Sequence, residues 1–184
     1  MPNTEGASNT PKAERDEWRT LPAFYNALNK EFKFSYDFAA TAYNMLTVRG
    51  LTDETDALLM HDSWFFGNAI PPHGFLNPPF SKIAGFLARA NKEIVLAGKE
   101  FLNPVIVCLV KADSPEAGWW RDNVVDIDGG IRHEVRYLYP RLPYCNPSGE
   151  VRANPRFASA LIIMRPTPWR YVQWVNWKQY AGVT

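Results

Sequence analysis

Asn77-Pro78-Pro79-Phe80 is a set of residues able to do chemistry on an aromatic amine. The nitrogen of such an amine is a poor nucleophile, because its lone pair is delocalised into the ring. Two acceptors placed on its N–H groups pull it toward a tetrahedral, more nucleophilic form. The Asn77 side-chain oxygen is one acceptor, and the Pro78 carbonyl can be the second. The two prolines restrict the backbone and remove N–H donors, which helps hold that carbonyl toward a substrate. Phe80 offers an aromatic face on which a base can stack. Positioning then does the rest for transfer of an activated one-carbon group. The competing reading is a plain turn, since Asn-Pro commonly starts one. A place between strand and helix favours the chemical reading.

The neighbouring pattern supplies that place. Gly74 to Asn77 reads as the end of a short strand. Ser81 can cap the next helix, whose Ile83, Phe86, Leu87, Ala90 and Ile94 fall on one face. Upstream, Pro22 opens a helix in which Phe24, Leu28 and Phe32 recur at helical spacing. Phe34 to Ala39 alternates and is rich in aromatics, which predicts a strand, with a helix or turn from Ala40 to Arg49. Pro104 to Lys111 is a continuous apolar run, as in a strand covered on both faces. A short helix is expected around Gly118 to Asn123, and strands at Glu134 to Tyr139 and Ala158 to Arg165. The order predicts an α/β fold with a mainly parallel sheet and an antiparallel pair at its edge. Such sheets bind ligands beyond the carboxyl ends of their strands. The segments to inspect are therefore Asp37 to Thr41, Asn77 to Phe80 and Lys111 to Ser114.

Composition bounds the rest. The 184 residues suit one domain, and no apolar run approaches the ~20 residues of a membrane span. The polar first fifteen residues read as a disordered lead-in with no signal peptide, leaving 16–184 as the domain. Cys108 lies in an apolar run and Cys145 in a proline-rich loop, while His61, His73 and His133 are scattered. No metal site and a reduced, cytoplasmic setting are expected. From Ile131 onward, seven arginines and one lysine face two glutamates, a net +6, so the first 130 residues carry −5. This asymmetry suits either a polyanion contact at the C-terminal end or a solvated basic face.

The markers taken together resemble the phage-type DNA N6-adenine methyltransferases, small Dam-like enzymes of bacteriophages and prophages. The resemblance runs from about Trp18 to Pro166. It begins with Trp18-Arg19-Thr20 and Leu28-Asn29-Lys30-Glu31-Phe32, then Asp37-Phe38-Ala39-Ala40-Thr41. Asp56-Ala57-Leu58, Asp62-Ser63-Trp64 and the Asn77 tetrad follow, then Trp119-Trp120 and Phe157-Ala158-Ser159-Ala160-Leu161. The resemblance implies a Rossmann-like S-adenosylmethionine-dependent methyltransferase sheet, with S-adenosylmethionine as cofactor and double-stranded DNA as substrate. Asn77, Pro78, Pro79 and Phe80 are then the catalytic set. Asp37 and Ala39 resemble the cofactor loop, with the Asp37 carboxylate suited to the methionine ammonium. Trp18 and Thr20 resemble the element over the methionine part, and Asp62 a residue near the cofactor adenine. The family's tryptophan-threonine-proline is stretched here to Trp18-Arg19-Thr20-Leu21-Pro22, Ala39-Ala40-Thr41 replaces a glycine-rich loop, and no ribose partner is evident.

Only Ala42 to Leu76 separates the cofactor element from the tetrad, so target reading falls to the C-terminal third. Arg132, Arg136, Arg141, Arg152, Arg156 and Arg170 are the candidates for DNA contact, with the Pro140 to Arg156 loop approaching the duplex. A target base inside a duplex must be flipped out to reach the tetrad. The aromatic Trp169 to Tyr180 segment suits packing against the sheet better than stacking on nucleic acid. The same tetrad serves cytosine-N4 methylation, and related ones serve glutamine-amide or RNA-base methylation. A non-catalytic DNA-binding protein on the same fold is the reading of a different class.

Overall fold

A computed structural model describes residues 16–52, 56–67, 70–101, 103–112, 116–152 and 155–183. The expected lead-in at 1–15 lies outside the described residues, as do 113–114 of the third inspected segment.

Seven strands form the central sheet. They are β2 (Tyr36–Ala40), β3 (Arg49–Thr52), β4 (His73–Leu76), β5 (Val105–Lys111), β6 (Glu134–Tyr139), β9 (Ser159–Met164) and β10 (Val172–Asn176), in the order β10-β6-β9-β5-β4-β2-β3. The sheet is mostly parallel, as expected of a Rossmann-like fold. The reversed strand is β9, antiparallel to both β5 and β6, while the outermost β10 runs parallel to β6. The antiparallel pairing thus lies one strand further in than an edge pair. A second, small sheet joins β1 (Arg19–Thr20), β7 (Tyr144–Cys145) and β8 (Val151–Arg152) through antiparallel pairs.

The period of two along the central strands sorts the core into two layers. In β5, Ile106, Cys108 and Val110 face one layer, and Val105, Val107 and Leu109 the other. In β9, Ala160, Ile162 and Met164 alternate with Leu161 and Ile163 in the same way. The first layer is closed by helix α2 (Ile83–Glu100), through Ile83, Phe86, Leu87, Ala90, Ile94 and Ala97, and by Trp120 of α3 (Gly118–Val124). The second is closed by α1 (Pro22–Phe32), through Phe24, Tyr25, Leu28 and Phe32, and by α4 (Trp177–Ala181), through Trp177. Pro22 sits in the first turn of α1, where its missing N–H costs no intrahelical bond. Lys33 closes α1 in the left-handed conformation, and Asn29 Oδ1 accepts the Phe34 N–H at 2.8 Å.

Two local arrangements set the floor of the site. Gly74 of β4 lies against the Phe38 ring of β2, where a Cβ would fall 1.9 Å from Phe38 Cε2. Only glycine lets these neighbouring strands carry that ring. The stretch after Trp64 is anchored on α2: Trp64 N–H and Ser63 Oγ–H donate to buried Glu93 at 3.0 and 3.1 Å. Arg89 pairs with Glu93 at 2.7 Å and donates to the Met60 and Asp62 carbonyls.

Three local expectations are resolved. Of the helix or turn expected from Ala40 to Arg49, the turn is found, between the end of β2 and the start of β3. Ser81 does not cap α2; it lies in a 3-10 turn (Phe80–Lys82) that feeds the helix, and its hydroxyl donates to Asp16. The C-terminal segment both packs and protrudes: Trp177 is buried, whereas Trp174 is 68% and Trp169 56% exposed.

Candidate active site

The chain runs from β2 outward to β3, then returns to place β4 on the other side of β2. This switch opens a crevice beyond the carboxyl ends of β2 and β4. A cavity of about 710 Å³ occupies it, a size that suits a small-molecule ligand. Asp37 to Ala40 form the floor, the Asp16 to Thr20 segment one wall, and the Thr41 to Leu46 turn another. Asn77 and Pro79 close it on the tetrad side, and Cys145 and Gly149 of the β7–β8 hairpin lie over it.

Asp37 is 3% exposed. Its Oδ2 accepts the Leu46 N–H at 3.1 Å and its Oδ1 the Ala39 N–H at 3.4 Å, so the carboxylate shapes the turn. The turn braces itself through Thr41 N–H to Asn44 Oδ1 at 2.5 Å. Burial pushes the Asp37 carboxyl up to about 6, against the pull of those two N–H groups. A buried carboxylate beside a ligand cavity is poised to gain from a cationic group.

The tetrad is held from the opposite wall. Asn77 Nδ2 donates to the Trp18 carbonyl at 3.3 Å. This fixes the amide so that Oδ1 is the free end: among the described residues neither Asn77 Oδ1 nor the Pro78 carbonyl accepts a hydrogen bond. Pro79 O accepts the Lys82 N–H at 3.0 Å and closes the turn. Ser81 N–H and Oγ–H both donate to the Asp16 carboxylate, at 2.9 and 2.5 Å. Asp16 and Trp18 thus grip the tetrad at both ends. Phe80 stands edge-on to Phe157 at 5.1 Å between ring centres, and packs with Trp18 and Tyr144 at 6.2 and 6.4 Å. Trp18 Nε1 and Thr20 Oγ1 are buried without partners among the described residues.

Of the residues expected at the site, Trp18, Thr20, Asp37, Ala39, Asn77 and Pro79 line the cavity. Pro78 is buried behind it, and Phe80 belongs to the aromatic cluster on its flank. Asp62 does not join them. It is exposed and outside the cavity, because Trp64, with 0% exposure, draws its segment down onto α2. The acid that reaches the cavity from this region is Asp56, whose Oδ1 accepts the Leu58 N–H at 3.2 Å. Asp16, Arg19 and Lys82 also line the cavity, and nothing in the sequence pattern gives them a role there.

The arginines divide. Arg136 is 9% exposed and forks onto Glu31 and Glu134, each at 2.7 Å. Glu134 is fully buried and also holds Arg165 and the Tyr171 hydroxyl. Arg136 therefore belongs to an internal ion network, not to an open face. Arg170 pairs with Asp126 at 2.7 Å, and Arg132 is half-buried nearby in the chain. Arg152, in β8, and Arg141 and Arg156, on either side of the β7–β8 hairpin in the chain, are exposed. Arg152 lies 4.0 Å from Glu150, and Arg141 donates to the Pro155 carbonyl.

Among the described residues no group of three or more His, Cys, Asp or Glu could hold a metal ion, and no helix is long and apolar enough to cross a membrane. A family model described as DNA N-6-adenine-methyltransferase (Dam) matches residues 7–181. No curated protein matches the chain.

Proposed function

Because the chain belongs to the DNA N-6-adenine-methyltransferase (Dam) family, we propose that it methylates the exocyclic N6 of an adenine flipped out of DNA, using S-adenosylmethionine. The observation that carries this reading is the pair of unclaimed acceptors, Asn77 Oδ1 and the Pro78 carbonyl, beside a cavity floored by a buried carboxylate.

The residues fit the donor. Asp37 would hold its ammonium, beside the wall that Trp18 and Thr20 line. When bound, S-adenosylmethionine supplies an electrophilic methyl group on a cationic sulfur. The chain supplies the rest. Asn77 and Pro78 would accept hydrogen bonds from the two N6 hydrogens and turn the lone pair from the ring toward the donor, and the methylated nitrogen then loses one of its protons to solvent. Phe80 bears on the plane of the base from the aromatic cluster. Pro79 and the 3-10 turn keep the acceptors in place, so that little reorganisation is needed during transfer.

Arg141, Arg152 and Arg156 on the overhanging segment would hold the DNA backbone at the mouth of the site. The adenine must leave the stack, since duplex stacking keeps N6 out of reach of the two acceptors. A 2-aminopurine at the target position should brighten on binding, and no change in a duplex lacking quenching neighbours would count against flipping.

The deciding experiment follows methyl transfer from tritiated S-adenosylmethionine to unmethylated DNA, beside Asn77→Ala, with the nucleosides identified by mass spectrometry. N6-methyl-2′-deoxyadenosine from the unaltered protein alone establishes reaction and residue together. N4-methylcytosine, or methylated RNA, would redirect the substrate. A folded protein that binds the donor and methylates nothing would point to a non-catalytic DNA-binding role.

A further inference from the structure

The two edges of the central sheet are finished differently. At one edge, β3 is short, carries Arg49, pairs with β2 across a register shift between Asp37 and Ala40, and buries Leu51. A charge and a bulge keep an edge strand from pairing further. At the other edge, β10 keeps five consecutive residues in register with β6, with no proline, no charge and no bulge. Among the described residues it pairs with β6 alone.

The outer side of β10 is open in main chain and side chain. The Val135 N–H donates to the Tyr171 carbonyl at 2.9 Å, so the alternate residues Gln173 and Val175 also turn their main-chain groups to β6. Val172 and Trp174 turn theirs outward. The Trp174 ring stacks on Tyr137 at 5.6 Å between ring centres, and Tyr137 on Trp120 at 6.1 Å. The aromatic layer at α3 thus runs out to the edge and ends on a ring mostly in water, with Tyr139, Trp169 and Val172 exposed around it.

No charged residue lies between Tyr171 and Trp177. The arginines just before β10 are held elsewhere, Arg165 by Glu134 and Arg170 by Asp126. This edge therefore offers little to a phosphate backbone, and it sets no like charges together when it meets itself.

We propose that β10 pairs with β10 of a second copy of the chain, antiparallel about a two-fold axis normal to the sheet and centred on Trp174. In that register the outward main-chain groups of the two Trp174 residues exchange hydrogen bonds, and their rings lie side by side on one face. The carboxyl end of β10 lies on the same side of the sheet as the cavity, since β10 is parallel to β6, and β6 and β5 are both antiparallel to β9. The cavities of the two copies then open at opposite edges of the joined sheet, and neither is completed by the other.

Sedimentation equilibrium of the full chain across a concentration series tests this. One strand pair with its aromatic flank is a small interface, so the mass should climb from that of one chain toward that of two with a micromolar dissociation constant. Trp174→Lys removes the aromatic anchor and sets two ammonium groups against each other, and should weaken association by about tenfold or more. Val172→Pro removes an outward N–H and no bond to β6, so it should weaken association severalfold while donor affinity stays as it was. A chain that remains monomeric at every concentration overturns the proposal. So does a dimer that neither substitution weakens, whose interface lies elsewhere. A dimer weakened by Trp174→Lys but not by Val172→Pro overturns the strand pairing. A monomer whose DNA affinity falls in Val172→Pro gives the edge to nucleic acid and overturns it as well.

Discussion

Asn77 donates its side-chain N–H to the carbonyl of Trp18, 59 residues earlier in the chain. One hydrogen bond thus fixes which end of the amide faces a substrate, and ties the tetrad to the wall proposed to hold the donor. Asn77→Ala removes an acceptor and the tie. It is expected to lower kcat by about 100-fold or more, with the affinity for S-adenosylmethionine changed much less. Asn77→Asp keeps an acceptor but sets a carboxylate against the Trp18 carbonyl, and should be nearly as inactive. Single-turnover rates beside titration of the donor read both effects. A kcat within a few-fold of the unaltered protein in either variant would remove Asn77 from the chemistry.

Asp37 makes donor binding and stability respond to pH in opposite directions. Its folded-state carboxyl sits at about 6, above the ordinary 3.8, chiefly through burial. The folded protein therefore holds the proton more tightly than the unfolded chain between those values. Stability contributed by the protonated form is full below pH 4 and is lost as the pH rises to 6. The cost above that is about 3 kcal/mol. Asp37→Asn should match or exceed the unaltered protein in Tm at pH 8, and the advantage should vanish near pH 4. Donor binding needs the ionised form, so affinity should fall about tenfold per pH unit below 6, and be poor in Asp37→Asn at every pH. A pH-independent affinity would show that Asp37 meets no cation.

Asp16 closes the 3-10 turn from another part of the chain, through both the N–H and the hydroxyl of Ser81. Ser81 follows Phe80 directly, so Asp16 is a positioning residue for the tetrad. Ser81→Ala removes one bond and Asp16→Ala both. A double-mutant cycle should return about 1 kcal/mol of coupling in the activation free energy, the scale of partly exposed hydrogen bonds to a charged group. The kcat should carry the loss while the KM for donor moves little. Additive effects of the two substitutions would show the contact to be incidental.

The strand-turn-helix setting of the tetrad is legible in the sequence because proline, glycine and apolar periodicity are local signals. So are the two-sided burial of β5 and the acid within β2. The direction of β9 is not, since a buried apolar run reads the same whichever way it lies. Asp62-Ser63-Trp64 reads toward the cavity in sequence but serves to seat Trp64 in the core, a matter decided by Glu93 and Arg89 on α2. Asp56 stands within one of the family markers, yet nothing around it in the sequence gives it a role. Arg19 and Asp16 depend on contacts across 126 and 65 positions in the chain, which no local pattern announces.

The basic surplus of the C-terminal third hides two different kinds of arginine, and charge counting treats them alike. Arg136 neutralises Glu134 and Glu31 inside the fold. Arg136→Met leaves buried Glu134 with Arg165 and the Tyr171 hydroxyl only, and should cost about 3 kcal/mol or more by denaturant unfolding. The slope of DNA affinity against salt should stay as it was. Arg152 and Arg156 are exposed beside the hairpin over the cavity. Their joint replacement by alanine should leave unfolding within about 0.5 kcal/mol, weaken DNA binding, and flatten the log–log salt slope by about 0.9 for each phosphate no longer neutralised. Fluorescence anisotropy across a salt series reads that slope on both proteins. An unchanged slope in the double variant would move the DNA interface off this hairpin. A changed slope in a folded Arg136→Met protein would show that the internal network also sets the charge that DNA meets.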